Sequence, residues 1–340
     1  MRLLNIDSLE VEEFIGSSLP PYTILSHTWG LEEVTLQDLP KFGLTRLVGF
    51  RKLQYLCDQT RQDGFQYTWV DTCCIDRESS AELSEAINSM YKWYSKAEVC
   101  YVYLCDVHYT EGEDIDPTSA FYHSRWFARS WTLQELIAPD SLTFYDAYWR
   151  CIGTKKSLFH IVSAVTGIPQ LCLEGKEVPA DFSVATRFSW ASKRSCTRPE
   201  DIAYSLMGLF GVYMPLLYGE GEKAFFRLQE EIVKSIDDQS IFSWAVSNED
   251  SRCGKPSSIF ARSPADFATA ANIYPFAELQ TPPYFTSRGL SISLPLVIAS
   301  KSFISSLSRD CELDDLLSSA ESVPRLEYYR FQLHQERVCA

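Results

Sequence analysis

The fold is set by residues 67–107, YTWVDTCCIDRESSAELSEAINSMYKWYSKAEVCYVYLCDV. Short β-branched and aromatic runs at Tyr67–Thr72 and Glu98–Val107 each predict a strand. A helix is predicted between them, because Ser79 and Glu82 have the spacing of a capping box. Apolar residues then recur at helical spacing, at Leu83, Ile87, Met90 and Trp93 or Tyr94. This succession of strand, helix and strand predicts a βαβ unit of a parallel sheet.

The same alternation extends on both sides of this unit. Further strands are predicted at Tyr22–Ser26 and Ser141–Trp149, and helices at Gly43–Asp63 and Ser124–Ile137. The second of these helices is expected to stop before Pro139, since proline disfavours helix in the residue that precedes it. Residues 1–170 therefore predict an α/β domain with a doubly wound parallel sheet.

The remainder of the chain has a different pattern. Residues 171–240 predict a helical extension, with a capping box at Thr197 and Glu200 and a later helix over Glu222–Ser235. Residues 241–300 predict a small β-rich region, built from the strand-like pieces SIFSWAV, SSIFARSPADF and SRGLSISLPLVI. Residues 301–340 show weak periodicity, which predicts a weakly ordered tail.

Composition and charge exclude several classes of function. The 340 residues carry a formal net charge of -14, which argues against nucleic-acid and anionic-membrane partners. No apolar run has the length of a membrane span, and acidic residues interrupt the amino-terminal stretch where a signal peptide needs an apolar core. The eleven cysteines include no C-x-x-C pair, and the five histidines lack ligand spacing. We therefore predict a cytoplasmic protein with free thiols and no metal site.

The predicted sheet also locates the chemistry. Ligands of open parallel sheets bind beyond the carboxyl ends of the strands, where SHTWG, DTCCIDR and DVHYTEGED follow three predicted strands. The adjacent Cys73 and Cys74 have two interpretations. In one, Cys73 is a nucleophile with His27 and Asp71 as its partners. In the other, which we favour, both cysteines fill space as small apolar groups, while Asp71 and Asp76 fix the loop or face a ligand.

A second candidate lies in SRWFARSWTLQELIAP, residues 124–139. On a helix, Trp131 and Glu135 are four residues apart and share a face, which would put a carboxylate beside a flat ring. The alternative is an ordinary amphipathic helix, whose tryptophan packs in the core and whose glutamate pairs with Arg129 or solvent. The spacing alone favours this second interpretation.

Three blocks together carry a family resemblance. YTILSHTWG, the long stretch from WVDTCCID to LCDV, and SRWFARSWTLQELIAP resemble the three blocks of the fungal heterokaryon-incompatibility (HET) domain, in order. The resemblance covers about residues 20–150, and the segments RFSWASKRSCTRPEDIAYSLMGLFGVYMPLLYGEGEKAFFRLQEEI and SIFSWA resemble what commonly follows in this family. It implies a role in vegetative incompatibility and programmed cell death.

A more distant resemblance concerns mechanism. The order of these motifs is similar to that of TIR domains, which implies a flavodoxin-like sheet. WTLQEL aligns with the plant TIR motif W-C-L-x-E-L, whose glutamate is needed for NAD cleavage. The resemblance implies that Glu135 is catalytic and that NAD is a substrate, with no prosthetic group. In such a site we expect Trp131 to stack on the ring system and Ser26, His27 and Asp71 to line the pocket from the strand ends, with Trp29 as a further residue that binds NAD. SHTWG lacks the arginine common in plant TIR domains, so the contacts to phosphate or ribose are unassigned.

Two hypotheses of function follow from these resemblances. The first is a cell-death effector that cleaves the nicotinamide glycosidic bond of NAD, with Glu135 stabilising the oxocarbenium-like transition state. The second is a non-enzymatic signalling module that self-associates and recruits death-pathway partners. Many family members carry a nucleotide-binding and repeat region downstream, which is absent from this sequence, so a separate sensor protein is expected.

Overall fold

The main sheet of the protein contains the predicted strands and adds further ones at its edges. The computed structural model describes residues 1–16, 19–39, 46–112, 114–245, 258–273, 283–286 and 289–292, and the backbone of 293–296 and 327–333. Within this part of the chain, seven strands form the main sheet: β1 (Arg2–Asn5), β2 (Val11–Glu13), β3 (Tyr22–His27), β4 (Tyr67–Trp69), β5 (Val99–Tyr103), β6 (Leu142–Tyr145) and β7 (Cys151–Thr154).

The strand order is β2-β1-β4-β3-β5-β6-β7. β3 pairs in parallel with both β4 and β5, and β5 pairs in parallel with β6. These four strands have the flavodoxin-like order, in which the chain reverses direction across the sheet between β3 and β5. β1 and β2 extend one edge in antiparallel fashion, and β7 extends the other. The predicted doubly wound α/β class is therefore confirmed.

Five helices follow the strands of this domain: α1 (Phe50–Gln62), α2 (Asp71–Cys74), α3 (Ser80–Lys96), α4 (Arg125–Ala128) and α5 (Thr132–Ile137). α1 leads from β3 to β4, and α3 leads from β4 past β3 to β5. Because both crossovers are right-handed by rule, these two helices cover opposite faces of the sheet. All six residues of β3 are buried between the two faces.

The amino-terminal end of α3 confirms half of the predicted capping box. The Ser79 hydroxyl accepts a hydrogen bond from the Glu82 N–H at 3.3 Å. The Glu82 carboxylate, however, accepts from the N–H of Asp76 at 2.9 Å rather than from that of Ser79. The carboxylate thereby fixes the turn that joins α2 to α3, further from the helix than a capping box requires.

The predicted single helix over 124–137 is wrong, because the structure divides it into α4 and α5. Arg129, at the end of α4, has an extended backbone with φ -86° and ψ 136°. Its backbone forms a parallel bridge with Ser195, which lies in the helical region. Contacts with a distant part of the chain thus interrupt a stretch whose local pattern favours a continuous helix.

The helical region follows β7 and packs against α3. Its helices are α6 (Phe159–Thr166), α7 (Gln170–Leu173), α8 (Val184–Ser189), α9 (Glu200–Tyr204), α10 (Met207–Phe210) and α11 (Lys223–Ser235). α10 meets α3 so closely that a Cβ on Gly208 would lie 2.2 Å from the Cβ of Tyr91. Only glycine therefore fits at this contact.

The predicted helix over 222–235 is confirmed, since α11 buries the expected Phe225, Leu228 and Ile232. The capping box predicted at Thr197 and Glu200 does not form. The carboxylate of Glu200 accepts instead from the backbone N–H groups of Gly219 and Gly221, at 2.8 and 3.0 Å. This contact joins the start of α9 to the turn that precedes α11.

In the carboxyl-terminal part, the strands that the structure describes lie at different positions from most of those predicted. The described backbone forms a three-stranded antiparallel sheet of β8 (Tyr284–Thr286), β9 (Gly289–Leu296) and β10 (Glu327–Leu333). The stretches SIFSWAV and SSIFARSPADF, predicted as strands, contain 3-10 turns at Gln239–Phe242 and Pro264–Phe267. Apart from β10, the tail predicted as weakly ordered lies outside the described residues, and the domain boundaries stay predictions.

Candidate functional site

The candidate site lies where the chain changes direction across the sheet, at the carboxyl end of β3. Ser26 and His27 are the last two residues of this central strand. Asp71 follows the neighbouring β4 and is the first residue of α2. Because parallel strands end at the same edge, these three residues come together with Glu135 of α5, as the sequence predicts.

Ser26 and Glu135 form a buried hydrogen-bonded pair. The Ser26 hydroxyl donates to Glu135 Oε2 and accepts from the indole N–H of Trp126 at 2.8 Å. Glu135 is 8% exposed, and burial together with the charge of Asp71 raises the pKa of its carboxyl to about 8. Hydrogen bonds from Ser26 and Tyr94 and the charge of Arg129 act in the opposite direction. The carboxyl is therefore held close to the point at which it changes charge at neutral pH.

A second group is centred on Asp71. Its carboxylate contacts His27 Nε2 at 3.0 Å and accepts from the indole N–H of Trp29 at 2.8 Å. Burial favours the protonated form of Asp71, but the hydrogen bonds from His27 and Trp29 and the charge of Arg77 lower its pKa well below the usual value. The site thus contains one ionised carboxylate, Asp71, beside a carboxyl with a raised pKa, Glu135.

His27 is fixed in one tautomer by a lysine that no sequence motif indicates. Lys52 Nζ lies 2.6 Å from His27 Nδ1 and within 2.8 Å of both oxygens of Glu33. An ammonium has only hydrogens to donate, so Nδ1 must accept and Nε2–H donates to Asp71. Burial and the charge of Lys52 lower the pKa of His27, which keeps its ring neutral.

The two predicted pocket tryptophans have different surroundings. Trp29 is 36% exposed, and the Arg77 guanidinium stacks on its ring at 3.7 Å from the centroid. Trp131 is half-buried, and its indole forms a hydrogen bond with Asp201 of the helical region. Trp131 therefore faces the helical region, and the tryptophan that contacts the Ser26–Glu135 pair is Trp126.

Three arginines surround this edge of the sheet. Arg77 and Arg129 both lie near the Trp29 ring, with the Arg129 guanidinium 5.4 Å from its centroid. Arg125 donates to the hydroxyl of Thr28 at 2.9 Å. Although the chain as a whole is acidic, this edge carries the cations that an anionic ligand requires. SHTWG itself lacks an arginine, and these three come from other segments of the chain.

The adjacent cysteines lack the environment of a nucleophile. Cys73 is 1% exposed and its thiol donates to the carbonyl of Val34 at 3.2 Å. Burial raises the pKa of both thiols, that of Cys74 to about 12. His27 already donates to Asp71 and accepts from Lys52, so it has no free nitrogen for a thiol proton. These contacts support the interpretation of Cys73 and Cys74 as packing groups.

This interpretation predicts a selective pattern of alkylation. In the folded protein, iodoacetamide should modify the exposed Cys151 while Cys73 and Cys74 stay unmodified until the chain is unfolded. Peptide mapping by mass spectrometry measures each position. Modification of Cys73 as fast as that of Cys151, with the circular dichroism spectrum unchanged, would show an accessible thiolate and revive the nucleophile hypothesis.

Several residues of the site could not be identified from the sequence. Glu33 and Lys52 lie in no quoted motif. Arg77 ends the segment DTCCIDR and Tyr94 belongs to the apolar stripe of α3, but neither is predicted as a site residue, and Trp126 lies in the same block as Trp131. One signal was available, since Lys52 directly precedes Leu53 on the apolar side of α1, where a solvated lysine is unexpected. Within the described residues, no cluster of acidic, histidine or cysteine side chains has the arrangement of a metal site. None of the helices described is long and apolar enough to cross a membrane.

Comparisons with known proteins agree with the family resemblance. The model of the family "Heterokaryon incompatibility protein (HET)" matches residues 22–117, and a domain of unknown function matches residues 223–305. The vegetative incompatibility protein HET-E-1 of Podospora anserina is 47% identical over 244 residues, which cover 69% of this chain and 18% of that protein. The chain thus spans less than a fifth of the length of this relative. No solved structure matches the chain.

Proposed function

We infer from the match of residues 22–117 to the family model and from the similarity to HET-E-1 that the chain is a heterokaryon-incompatibility (HET) domain protein, and we propose that it acts in fungal vegetative incompatibility as a cell-death effector that cleaves NAD. The observation that carries the proposal is the buried Ser26–Glu135 pair at the carboxyl end of the central strand. A carboxyl with a raised pKa, an ionised carboxylate and three arginines meet there, which is the combination that a positively charged, phosphate-bearing nucleotide requires.

The reaction is hydrolysis of the bond between nicotinamide and ribose. As the C1′–N bond breaks, its electron pair neutralises the nicotinamide ring, and positive charge develops on the ribose. Water then adds to C1′ and loses a proton, which gives nicotinamide, ADP-ribose and H⁺. The leaving group departs as a neutral molecule, so one carboxylate is enough to stabilise the transition state.

Named residues take the remaining roles in this proposal. Ionised Glu135 faces the developing charge, and its hydrogen bond from Ser26 fixes the direction of its carboxylate. Trp29 and Arg77 offer a stacked surface at the exposed edge, and Arg125 and Arg129 supply charge for the pyrophosphate. Because Glu135 is 8% exposed, substrate must displace a covering side chain to reach it. Trp29, which is more exposed than Glu135, is the side chain we expect to move.

Self-association belongs to the same proposal, and a surface feature supports it. Leu31 and Val48 are 105% and 76% exposed. Their segments are held together, because Gly49 N–H donates to the carbonyl of Glu32 at 2.8 Å. Exposed apolar residues beside a charged site favour contact with a second protein surface. A non-enzymatic module that recruits partners through this surface is the second candidate function. We expect either activity in the cytoplasm, with a separate sensor protein as the trigger.

Expression in yeast separates the two candidates. If NAD cleavage kills, wild-type protein should reduce both intracellular NAD and colony formation, and Glu135→Gln should restore both. Leu31→Asp should then reduce toxicity only to the extent that it lowers NAD cleavage. If recruitment kills, Glu135→Gln should stay toxic at unchanged NAD while Leu31→Asp abolishes toxicity. Immunoblotting establishes equal expression, and toxicity of Glu135→Gln at normal NAD would overturn the enzymatic proposal.

A further inference from the structure

The helical region contributes backbone directly to the segment that carries the candidate site. After α8 the chain lies beside the connection between α4 and α5. The N–H of Ser195 donates to the carbonyl of Ala128 at 2.7 Å, and the N–H of Ser130 donates to the carbonyl of Ser195 at 2.9 Å. These bonds hold the connection extended, so α5 begins at Thr132 instead of continuing α4.

One side chain of this segment reaches the start of α5. Arg194, which is 9% exposed, donates through one terminal nitrogen to the carbonyl of Arg129 at 3.0 Å and to the Thr132 hydroxyl at 2.9 Å. Its Nε lies 3.3 Å from the carbonyl of Trp190. The second terminal nitrogen is buried and has no hydrogen-bond partner among the described residues. A buried guanidinium nitrogen without a hydrogen-bond partner lowers the stability of the fold, so such an arginine calls for another explanation.

When it is ionised, Glu135 is the carboxylate whose charge favours the protonated form of Arg194. Burial lowers the pKa of Arg194 to about 9, and the negative charge of Glu135 opposes this. Among the described residues, Arg194 forms no ion pair at contact distance with any carboxylate. Glu135 lies three residues after Thr132, which places both on one side of α5. Arg194 therefore holds the first residue of the helix and acts on the carboxyl one turn later.

We propose that Arg194 is a positioning residue for Glu135, so that the helical region completes the candidate site of the HET domain. α5 has only six residues, too few for a helix to maintain its own direction. The hydrogen bonds from Arg194 to Arg129 and Thr132 fix the direction of α5 from the helical region. The inference rests on the proposed function only for its consequence in turnover, because the contact between the two regions exists without any reaction.

β3 packs against α5 and ends at His27, whose lowered pKa keeps its ring neutral. Further charged and titratable groups face Glu135 from other elements around it. They are Asp71 of α2, Tyr94 of α3, Cys100 of β5, Arg129 before α5 and Arg194 of the helical region. Arg129 and Arg194 are the two cations of this set. Removal of Arg194 leaves Arg129 as the only one of the set that favours ionised Glu135 by its charge, so the carboxyl should ionise at higher pH.

The test measures the ionisation of Glu135 through stability, which needs no enzymatic activity. The free energy of unfolding is measured against pH for wild type and Glu135→Gln, and again for the same pair in an Arg194→Met background. Within each pair, the difference in free energy of unfolding between the protein with Glu135 and its Glu135→Gln variant is plotted against pH. Its slope changes at the pH where Glu135 ionises in the folded protein. We expect this point to move to higher pH by about one unit with Arg194→Met.

Two further variants keep the test decisive. Arg187→Met is the matched control, since Arg187 is also buried with an unpartnered Nε but contacts Leu209 and Phe210 rather than α5. It should destabilise the protein without moving the ionisation of Glu135. Arg194→Lys keeps the positive charge and should shift the pH at which Glu135 ionises by less than Arg194→Met does. If Arg194→Met fails to fold, Arg194→Lys still provides a test.

The outcomes separate this inference from the proposed function. If Arg194→Met and Arg187→Met leave the ionisation of Glu135 equally unchanged, the inference is overturned, whatever the turnover. If Arg194→Met and Arg194→Lys move it in the expected order, the inference is supported. Where wild type cleaves NAD, Arg194→Met should in addition lower kcat by about tenfold or more and shift its pH profile to higher pH. A wild type without turnover rejects the proposed function alone.

Discussion

Glu135→Gln is expected to lower the rate of NAD cleavage by about 10²–10³-fold, the usual cost of removing one electrostatic contact to a transition state. Glutamine has nearly the same shape and still accepts the hydrogen bond from Ser26, but it carries no negative charge. Initial rates of NAD loss for purified wild type and variant measure the effect. Glu85→Gln, at an exposed position of α3, is the matched control and should retain the wild-type rate.

The pH dependence of the same reaction has a defined sign. Burial raises the pKa of Glu135 to about 8, and the ionised form is the one that stabilises the ribose cation. Turnover by wild type should therefore increase as pH rises towards 8 and level off above it. Bound NAD carries a positive nicotinamide ring that favours the carboxylate, so the profile of kcat should rise at lower pH than that of kcat/KM.

The stability of Glu135→Gln shows whether the variant is folded. We expect it to be higher than that of wild type above pH 8, whereas turnover is lower. The folded protein keeps a proton on Glu135 between the ordinary glutamate pKa of 4.5 and about 8, whereas the unfolded chain releases it. The contribution of this group is therefore complete below 4.5 and is lost as pH rises through the folded pKa. Glutamine cannot ionise, so Glu135→Gln should be more stable than wild type above pH 8, by a few kcal/mol at about 1.4 kcal/mol for each pH unit.

A decrease in turnover together with an increase in stability cannot come from misfolding. A variant that loses turnover because it unfolds would have a lower melting temperature than wild type at every pH. A wild-type rate in Glu135→Gln, measured at about pH 8.5 with the protein folded, would remove Glu135 from the reaction.

Lys52→Met is expected to destabilise the protein by about 3–5 kcal/mol, the cost of removing one partner from a buried ion pair. The side chains of Lys52 and Glu33 are 10% and 12% exposed, and Nζ lies 2.7 Å from Glu33 Oε2. Methionine fills the space of the lysine stem but leaves the Glu33 carboxylate without a cation and His27 Nδ1 without a donor. Chemical unfolding at neutral pH measures the loss.

A matched pair of substitutions identifies the cause of this loss. Lys234→Met removes a lysine whose side chain is 50% exposed and whose partner Glu231 is 35% exposed, and should change stability by less than about 0.5 kcal/mol. Lys52→Met combined with Glu33→Leu removes both charges and should recover part of the loss, because no uncompensated charge is left. If Lys52→Met alone costs under about 1 kcal/mol, the buried network does not hold the end of β3.

Local sequence patterns were sufficient to predict much of the fold. Strands β3 to β6 and helices α1, α3 and α11 follow from runs of β-branched residues, apolar stripes and caps. The meeting of Ser26, His27 and Asp71 follows as well, because parallel strands end at one edge. Each of these features needs only the residues of one segment and the general rules of sheet topology.

Contacts between distant segments account for the rest. The division of the predicted third helix depends on Ser195, and the direction of Trp131 depends on Asp201, both in the helical region. Lys52 is buried only because Glu33 and His27 meet it from other segments. The 3-10 turns at Gln239–Phe242 and Pro264–Phe267 occupy stretches whose composition favours strands, since tertiary packing overrides a weak β-propensity.

The most direct measurement is the release of nicotinamide from NAD by purified protein, at about pH 8.5 and over a wide range of protein concentration. Chromatography of the products shows whether the protein cleaves NAD. We expect equal amounts of nicotinamide and ADP-ribose with wild type, and release lower by about 10²–10³-fold with Glu135→Gln. A steeper than linear dependence on protein concentration would show that self-association completes the site. Equal release by wild type and Glu135→Gln, or none by folded wild type at any concentration, would contradict the proposed NAD cleavage.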